Sequence, residues 1–384
     1  MTNTTAANER QRSANVTTQL PPEQWEFRIR LRRSEEGPEL ACETTSIADV
    51  LDAQCELWFD ECLRKGRPDV AFDELSFRLS PVFGNADELI CDGFVLRAHT
   101  PFGTIVERQF AKDAFADVAL RAQQRLIDDK VLRIDDNVFF EIEAHRSPVA
   151  EQPDEVIAVE SQSRPLTYLN VPLPPLLKRA RAIGDPDGRF PVIYVEDAWK
   201  QSEQYSRRGA LYPTPIETGG VQIGPLCSCP ETGELFPVVC NVLEVKDAEE
   251  SKFSLSYTGK SWARIQAIVQ AMQSQPATRA HRILGQSHGH NFPPAGGAPP
   301  CDLCYSQTEC PRRSDTVSQD DRTWSQAVFN RQPWHLCHIF GINARNDNVE
   351  NLYTLRGNRL QSRGFYVIPD FELSAVVNQS TQSE

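Results

Sequence analysis

Apolar residues recur along this chain with two different periods, and each period predicts a different kind of element. Trp25 to Arg32 alternate apolar and polar side chains, as a strand with one buried face does. Ile47 to Leu63 instead carry apolar residues at helical spacing. Three further patterns predict a hairpin, a helix and a strand in the same region: Gly93–Ala98 with Thr104–Phe110, Lys112–Leu132 and Val138–Ile142. Together they predict a small N-terminal α+β domain over residues 23–146.

The second half of the chain interleaves predicted strands with predicted helices. The strands are Phe190–Val195, a glycine-punctuated segment after Glu217, Phe253–Tyr257, Arg282–Ser287, Pro333–Phe340 and Gly364–Ile368. The helices are Glu196–Gly209, Lys260–Met272 and Trp324–Phe329. This order is typical of an α+β or α/β fold, and we expect one domain over residues 189–372.

The remaining segments show no such period. Residues 147–188 are rich in proline, acidic first and basic afterwards, which predicts a linker between the two domains. The polar residues 1–22 predict a disordered tail, and residues 373–384 a second tail. The N-terminal domain carries no constellation of catalytic side chains, so its role stays unassigned.

Composition and charge limit the expected number of domains, the cellular compartment and the class of partner. The chain has 384 residues, enough for two domains, and 40% of them are hydrophobic, an ordinary share for a globular protein. We expect a cytoplasmic protein without a membrane partner, because no apolar run reaches about 18 residues and no signal-peptide pattern opens the chain. The eleven cysteines favour reduced thiols. A net charge of −13 argues against nucleic acid as the main partner.

The most informative motif is His288-Gly289-His290, which follows the predicted strand Arg282–Ser287. Side chains alternate along a strand, so both imidazoles project from one face and can bind one metal ion. Two imidazoles and one carboxylate fill three tetrahedral positions of Zn²⁺ and leave the fourth for a reactive water. Taken alone, the pair fits two surface histidines in a loop equally well.

In its order of elements the chain resembles the JAB/MPN metalloprotease family, also called JAMM. The resemblance rests on a strand, a helix, the segment Glu217-Thr218-Gly219-Gly220, a second helix, His288-x-His290 and Ser318-x-x-Asp321. It covers about half the chain, from near Phe190 to near Asp370. Two features differ from the family: Asn291 stands where most relatives have proline, and an insertion, residues 291–317, separates His290 from Asp321.

The resemblance implies an MPN domain, a cytidine-deaminase-like mixed sheet with flanking helices. It implies His288, His290 and Asp321 as ligands of a catalytic zinc ion and Glu217 as the general base. It also implies Ser318 as a donor to the developing oxyanion. Relatives mostly hydrolyse the bond after the C-terminal glycine of ubiquitin-like proteins. The implied activity is therefore that of a zinc isopeptidase, with a ubiquitin-like protein or its conjugates, and conjugation enzymes of the same operon, as partners.

The insertion carries three cysteines, Cys301, Cys304 and Cys310, in a glycine- and proline-rich loop. Cys-x-x-Cys spacing lets two thiolates bind one tetrahedral zinc ion, and a fourth ligand for this second, structural zinc would come from His335, Cys337 or His338. Reduced unpaired thiols or a disulfide fit the same spacing.

Two functions of other classes remain open alternatives. Some MPN domains are catalytically silent scaffolds, although each ligand position is filled here. A JAB-type protein of DNA repair would share the ligands, but the acidic charge and the lack of a helix-turn-helix pattern count against it. Zinc content separates scaffold from enzyme.

Overall fold

A computed structural model of the chain has a mixed α+β architecture, with several sheets and few helices among the residues it describes. The described residues are 24–45, 47–66, 70–84, 89–100, 103–147, 166, 168–186, 189–246, 248–251, 255–292, 313–329, 332–356 and 359–371. The α+β class is therefore confirmed at this level. None of the helices in these ranges combines the length and the apolar character needed to cross a bilayer.

Helices and strands are named here in chain order. The α-helices are α1 (Leu51–Leu57), which continues as a π-helix over Trp58–Leu63, α2 (Ala116–Asp128), α3 (Leu173–Arg179), α4 (Glu196–Arg207), α5 (Gly259–Gln273) and α6 (Gln319–Phe329). The first nine strands are β1 (Gln24–Arg32), β2 (Glu39–Thr45), β3 (Ser76–Phe83), β4 (Cys91–Thr100), β5 (Gly103–Ala111), β6 (Phe139–Ser147), β7 (Leu169–Asn170), β8 (Arg181–Ile183) and β9 (Ile193–Val195). The others are β10 (Gly219–Ser228), β11 (Leu235–Val239), β12 (Asn241–Glu244), β13 (Glu249–Glu250), β14 (Leu255–Ser256), β15 (His281–Gly289), β16 (Leu336–Ile342), β17 (Asn348–Arg356), β18 (Arg359–Arg363) and β19 (Phe365–Ile368).

The chain divides into two compact units. The first comprises Met1–Ser46, Leu79–Val95 and Ala111–Ile157, and the second comprises Ile47–Arg78, Leu96–Phe110 and Ala158–Glu384. Segments 47–78 and 96–110, which the sequence placed in an N-terminal domain, thus group with the C-terminal unit.

The first unit contains the antiparallel sheet β2-β1-β6, with α2 packed against β1 and β2. The predicted alternation of β1 is confirmed: Phe27, Ile29 and Leu31 are buried. Two arginines at the intervening positions pair with carboxylates of β6: Arg30 with Glu143 at 2.7 Å and Arg32 with Glu141 at 3.3 Å.

The second unit contains a mixed sheet in the order β18-β17-β16-β15-β10-β11-β9-β19-β8, with β7 and β12 also paired to β10. At its centre β10 runs antiparallel to β15, and β15 runs parallel to β16. Apolar side chains on the two faces of β10 belong to different clusters. Val221 and Ile223 pack with Ile265 of α5, whereas Leu226 packs in the cluster that contains Ala198 of α4. The central strands are therefore covered on both faces.

The predicted linker, residues 147–188, contains regular structure in its described part. β7, α3 and β8 lie there, and Leu173 and Leu176 of α3 are buried. Pro174 and Pro175 lie in the first turn of α3, where a missing N–H costs no helical hydrogen bond. The same prolines favoured a linker when only composition was considered.

Candidate metal centre

The pairing of β10 with β15 brings Glu217 to the two histidines. Gly219 lies opposite His288, and the Gly289 amide donates to the Thr218 carbonyl at 3.0 Å. Because the strands are antiparallel, this register places Glu217 opposite His290 at the end of the sheet. A motif on one strand and a carboxylate about seventy positions earlier are thus neighbours.

A β-bulge decides which face of β15 the histidines occupy. The register with β10 passes from Gly285 to Ile283, so Leu284 has no partner residue. Ile283 therefore faces α5, as does Gln286, whose side chain accepts a hydrogen bond from Tyr257. His288 and His290 follow Gln286 at intervals of two and share its face.

Four buried or nearly buried side chains converge here. The Nε2 atoms of His288 and His290 lie 3.1 Å apart. Asp321 approaches both rings, with Oδ1 3.1 Å from His288 Nε2 and Oδ2 3.5 Å from His290 Nε2. Glu217 Oε1 lies 3.8 Å from His290 Nε2. Donor atoms of Glu217, His288 and His290 all lie within 4.8 Å of one another, so this buried group could hold a metal ion.

A backbone carbonyl fixes the tautomer of His290. The Ser314 carbonyl lies 2.6 Å from Nδ1 of His290, and since a carbonyl only accepts, Nδ1 carries the proton. The other ring nitrogen, Nε2, faces Asp321 and His288. This is the arrangement in which an outer partner orients a metal-binding imidazole. Ser314 is itself fixed, because its hydroxyl donates to the His290 carbonyl at 3.1 Å.

Ser318 and Asp321 form a reciprocal cap at the start of α6. The Ser318 amide and hydroxyl donate to Oδ2 of Asp321 at 2.8 and 2.7 Å, and the Asp321 amide donates back to the Ser318 hydroxyl at 3.1 Å. Capping of α6 is therefore sufficient to explain the Ser-x-x-Asp spacing. Ser318 is exposed and reaches the site through the carboxylate.

The two carboxylates have opposite electrostatic environments. Burial raises the pKa of Glu217 to about 7, with the nearby negative charge of Asp321 adding to the effect of burial and His290 opposing it. Burial also opposes ionisation of Asp321, but His288 and His290 outweigh it and hold the pKa of that carboxyl far below its usual range. One carboxylate is thus poised to exchange a proton near neutral pH, and the other stays charged.

Several supporting residues carried no recognised sequence signal. Asn291 donates to the carbonyls of Ser206 and Ile216 at 3.0 and 2.9 Å, which ties the end of α4 to the segment before Glu217. A Cβ at Gly289 would lie 2.0 Å from the Ser206 carbonyl, so only glycine allows this close approach. The departure from proline at residue 291 was the one available clue.

The predicted second zinc site lies partly outside the described residues, since Cys301, Cys304 and Cys310 belong to 293–312. Its three candidate fourth ligands are described and lie in the core. His335 contacts Trp324, Cys337 is buried beside Gln286, and His338 pairs with Glu350 at 2.9 Å. The positions of these three residues support neither a structural zinc nor the alternative of reduced thiols or a disulfide.

Comparison with known proteins gives no further identification: neither a protein-family model nor a curated protein matches this chain.

Proposed function

We propose that this chain is a zinc-dependent hydrolase of the JAB/MPN type that cleaves the bond after the C-terminal glycine of a ubiquitin-like protein. The observation that carries the proposal is the convergence of Glu217, His288, His290 and Asp321 in one buried site. The resemblance named these four residues as ligands and base. Their proximity supports the proposal independently of any relative.

The distances among the donors suit zinc. Ligands about 2.0–2.1 Å from a tetrahedral Zn²⁺ lie about 3.3 Å from one another. His288 Nε2 lies 3.1 Å from His290 Nε2 and 3.1 Å from Oδ1 of Asp321, and the other carboxylate oxygen, Oδ2, lies 3.5 Å from His290 Nε2. Glu217 lies farther from His290 Nε2, at 3.8 Å. We therefore assign Asp321 as the third ligand and Glu217 as the neighbouring base.

When bound, zinc supplies an acidified water and a Lewis acid for the scissile carbonyl. The carboxylate of Glu217 accepts the proton of the attacking water and returns a proton to the leaving amine, so one residue serves both steps. Its pKa near 7 suits both roles, because neither protonation state is strongly favoured at neutral pH. A charged Asp321 keeps its oxygens available as ligands.

Ser318 has two roles in this proposal. Its hydroxyl holds Asp321 at the start of α6. For it to donate to a developing oxyanion as well, that hydroxyl proton must leave the carboxylate. A loss of metal on Ser318→Ala would indicate the first role, and a lower kcat with full metal content the second.

Burial of the site supports a slender substrate. His288 and His290 are each 3% exposed, and Glu217 is 5% exposed. An extended glycine tail has no side chains to exclude, so it can approach where bulkier residues clash. A buried site of this kind favours the Gly-Gly terminus of a ubiquitin-like protein, or the isopeptide bond that joins it to a lysine.

The test is a panel of ubiquitin-like fusions ending in Gly-Gly, incubated with the 384-residue chain with and without chelator. We expect cleavage after the second glycine that chelator abolishes and zinc restores. Glu217→Gln should keep its zinc and lose at least about 100-fold in kcat, because an amide cannot accept the proton. Glu231→Gln, an exposed position, is the matched control.

Metal content separates the possible failures. His288→Ala should lose both zinc and cleavage. Full activity of Glu217→Gln would refute the assigned base. Zinc binding by the wild-type protein without cleavage of any fusion would leave the metal centre and refute the substrate class.

A further inference from the structure

Helix α6 presents Asp321 and Trp324 on one face, since they lie three residues apart. The Trp324 indole stacks on the ring of Tyr257, with ring centroids 6.2 Å apart and planes at 15°. The indole also contacts His335, whose ring centroid lies 4.9 Å away. The helix face that directs a carboxylate to His288 is therefore also fixed by an aromatic contact one turn later.

Tyr257 links that contact back to the strand of the histidines. Its hydroxyl donates to Oε1 of Gln286 at 3.1 Å, and its ring meets Trp262 edge-on at 6.0 Å. Burial raises the pKa of Tyr257, so the hydroxyl keeps its proton and remains a donor. Gln286 precedes His288 by two residues and lies on the same face of β15.

These contacts connect the strand that carries the histidines with the helix that carries Asp321. Gln286 contacts Tyr257, Tyr257 contacts Trp324, α6 connects Trp324 with Asp321, and Asp321 returns to His288 at 3.1 Å. The two histidines are fixed by a central strand of the sheet. Asp321 depends instead on the position of one helix, so whatever fixes α6 determines whether the third donor reaches the site.

We propose that Trp324 and Tyr257 are positioning residues of the metal centre, whose stacked rings hold α6 against β15 and thereby set metal affinity through Asp321. The inference rests on the metal centre of the proposed function and is independent of what, if anything, is hydrolysed. Outer partners that orient metal ligands typically change metal affinity about 10- to 100-fold when removed. That range is the effect expected here.

The experiment measures the Kd for zinc of the 384-residue chain by competition with a chromophoric chelator. Trp324→Ala should raise the Kd about 10- to 100-fold, whereas Trp324→Phe, which keeps a ring for stacking, should stay within about threefold of wild type. Trp199→Ala is the matched control, because Trp199 lies on α4 and its indole donates to Glu350 at 2.9 Å. Its zinc Kd should remain that of the wild type.

Two readouts distinguish positioning from general loss of structure. The absorption of bound Co²⁺ should lose its intense tetrahedral bands in Trp324→Ala and keep them in Trp199→Ala. In an Asp321→Asn background, Trp324→Ala should add less than about twofold to the zinc Kd, because the ligand it positions is already lost. Equal weakening in both backgrounds, or no weakening in the wild-type background, would overturn the proposal.

A second variant covers the case in which Trp324→Ala does not fold. Tyr257→Leu removes the same stack from the other side and carries the same expectations. A wild-type protein that binds no zinc would overturn the metal centre and this inference together. If the protein binds zinc tightly but cleaves no substrate, the zinc Kd values of the variants decide whether this inference holds.

Discussion

Replacement of Glu217 by glutamine is expected to stabilise the metal-free protein, and to do so only above acidic pH. The carboxyl is 5% exposed, and burial raises its pKa from 4.5 to about 7. The folded protein therefore binds this proton more tightly than the unfolded chain does. Stability contributed by the raised pKa is fully present below pH 4.5 and is lost as the pH rises through 7.

The magnitude follows from the two pKa values. Their difference, 7 − 4.5 = 2.5, corresponds at 1.36 kcal/mol for each tenfold change to about 3 kcal/mol of lost stability by pH 8. Glutamine is never ionised and does not suffer this loss. Glu217→Gln should thus match wild type near pH 4.5 and exceed it by about 3 kcal/mol at pH 8, a shift in Tm on the order of 5 °C.

The assay is thermal unfolding of chelator-treated protein between pH 4.5 and 8, with Glu231→Gln as the exposed control. The control should follow wild type at every pH. A stability difference that does not vary with pH would show that residue 217 titrates normally and that the buried site is hydrated. A Glu217→Gln protein less stable than wild type at pH 8 would refute the reasoning outright.

Two further predictions concern the surroundings of the site. Gly289→Ala should destabilise the protein by about 1–3 kcal/mol and weaken zinc binding, because its Cβ would lie 2.0 Å from the Ser206 carbonyl. Gly259→Ala, where a Cβ meets no atom within 4 Å, should be neutral in the same denaturation and zinc-binding assays. If the cysteine insertion binds a second zinc, elemental analysis should give two zinc ions per chain, falling to one in Cys301→Ser with Cys304→Ser and staying at two in the exposed control Cys42→Ser. One zinc in the wild-type protein would dismiss the structural site.

Local periodicity predicted the central elements well. The strand before His288 and the helix after Phe190–Val195 exist close to their expected bounds, as β15 and α4. The helix expected over Lys112–Leu132 is shorter: α2 covers Ala116–Asp128, and the chain then adopts a positive φ of 61° at Lys130. Such a residue ends a helix whatever the apolar spacing beyond it.

The support of the site could not be predicted because it does not depend on side-chain type alone. The group that orients His290 is the main-chain carbonyl of Ser314, which any residue would supply. The bulge at Leu284 fixes the face of the histidines, yet nothing in the apolar pattern marks an unpaired residue. The stack of Trp324 on Tyr257 joins positions far apart in the chain.

Under the proposed function, the arrangement of charges favours different roles for the two carboxylates without reference to any family. Asp321 lies within 3.5 Å of both imidazoles and is pinned by Ser318, so it stays ionised and suits a fixed ligand. Glu217 lies farther out, at 3.8 Å from His290, in a buried environment that disfavours its charge. Two acids whose surroundings separate their pKa values in this way are suited to different tasks, one to binding and the other to proton transfer. The electrostatics therefore favour the same division that the order of motifs implies, and they would do so even if the resemblance were coincidental.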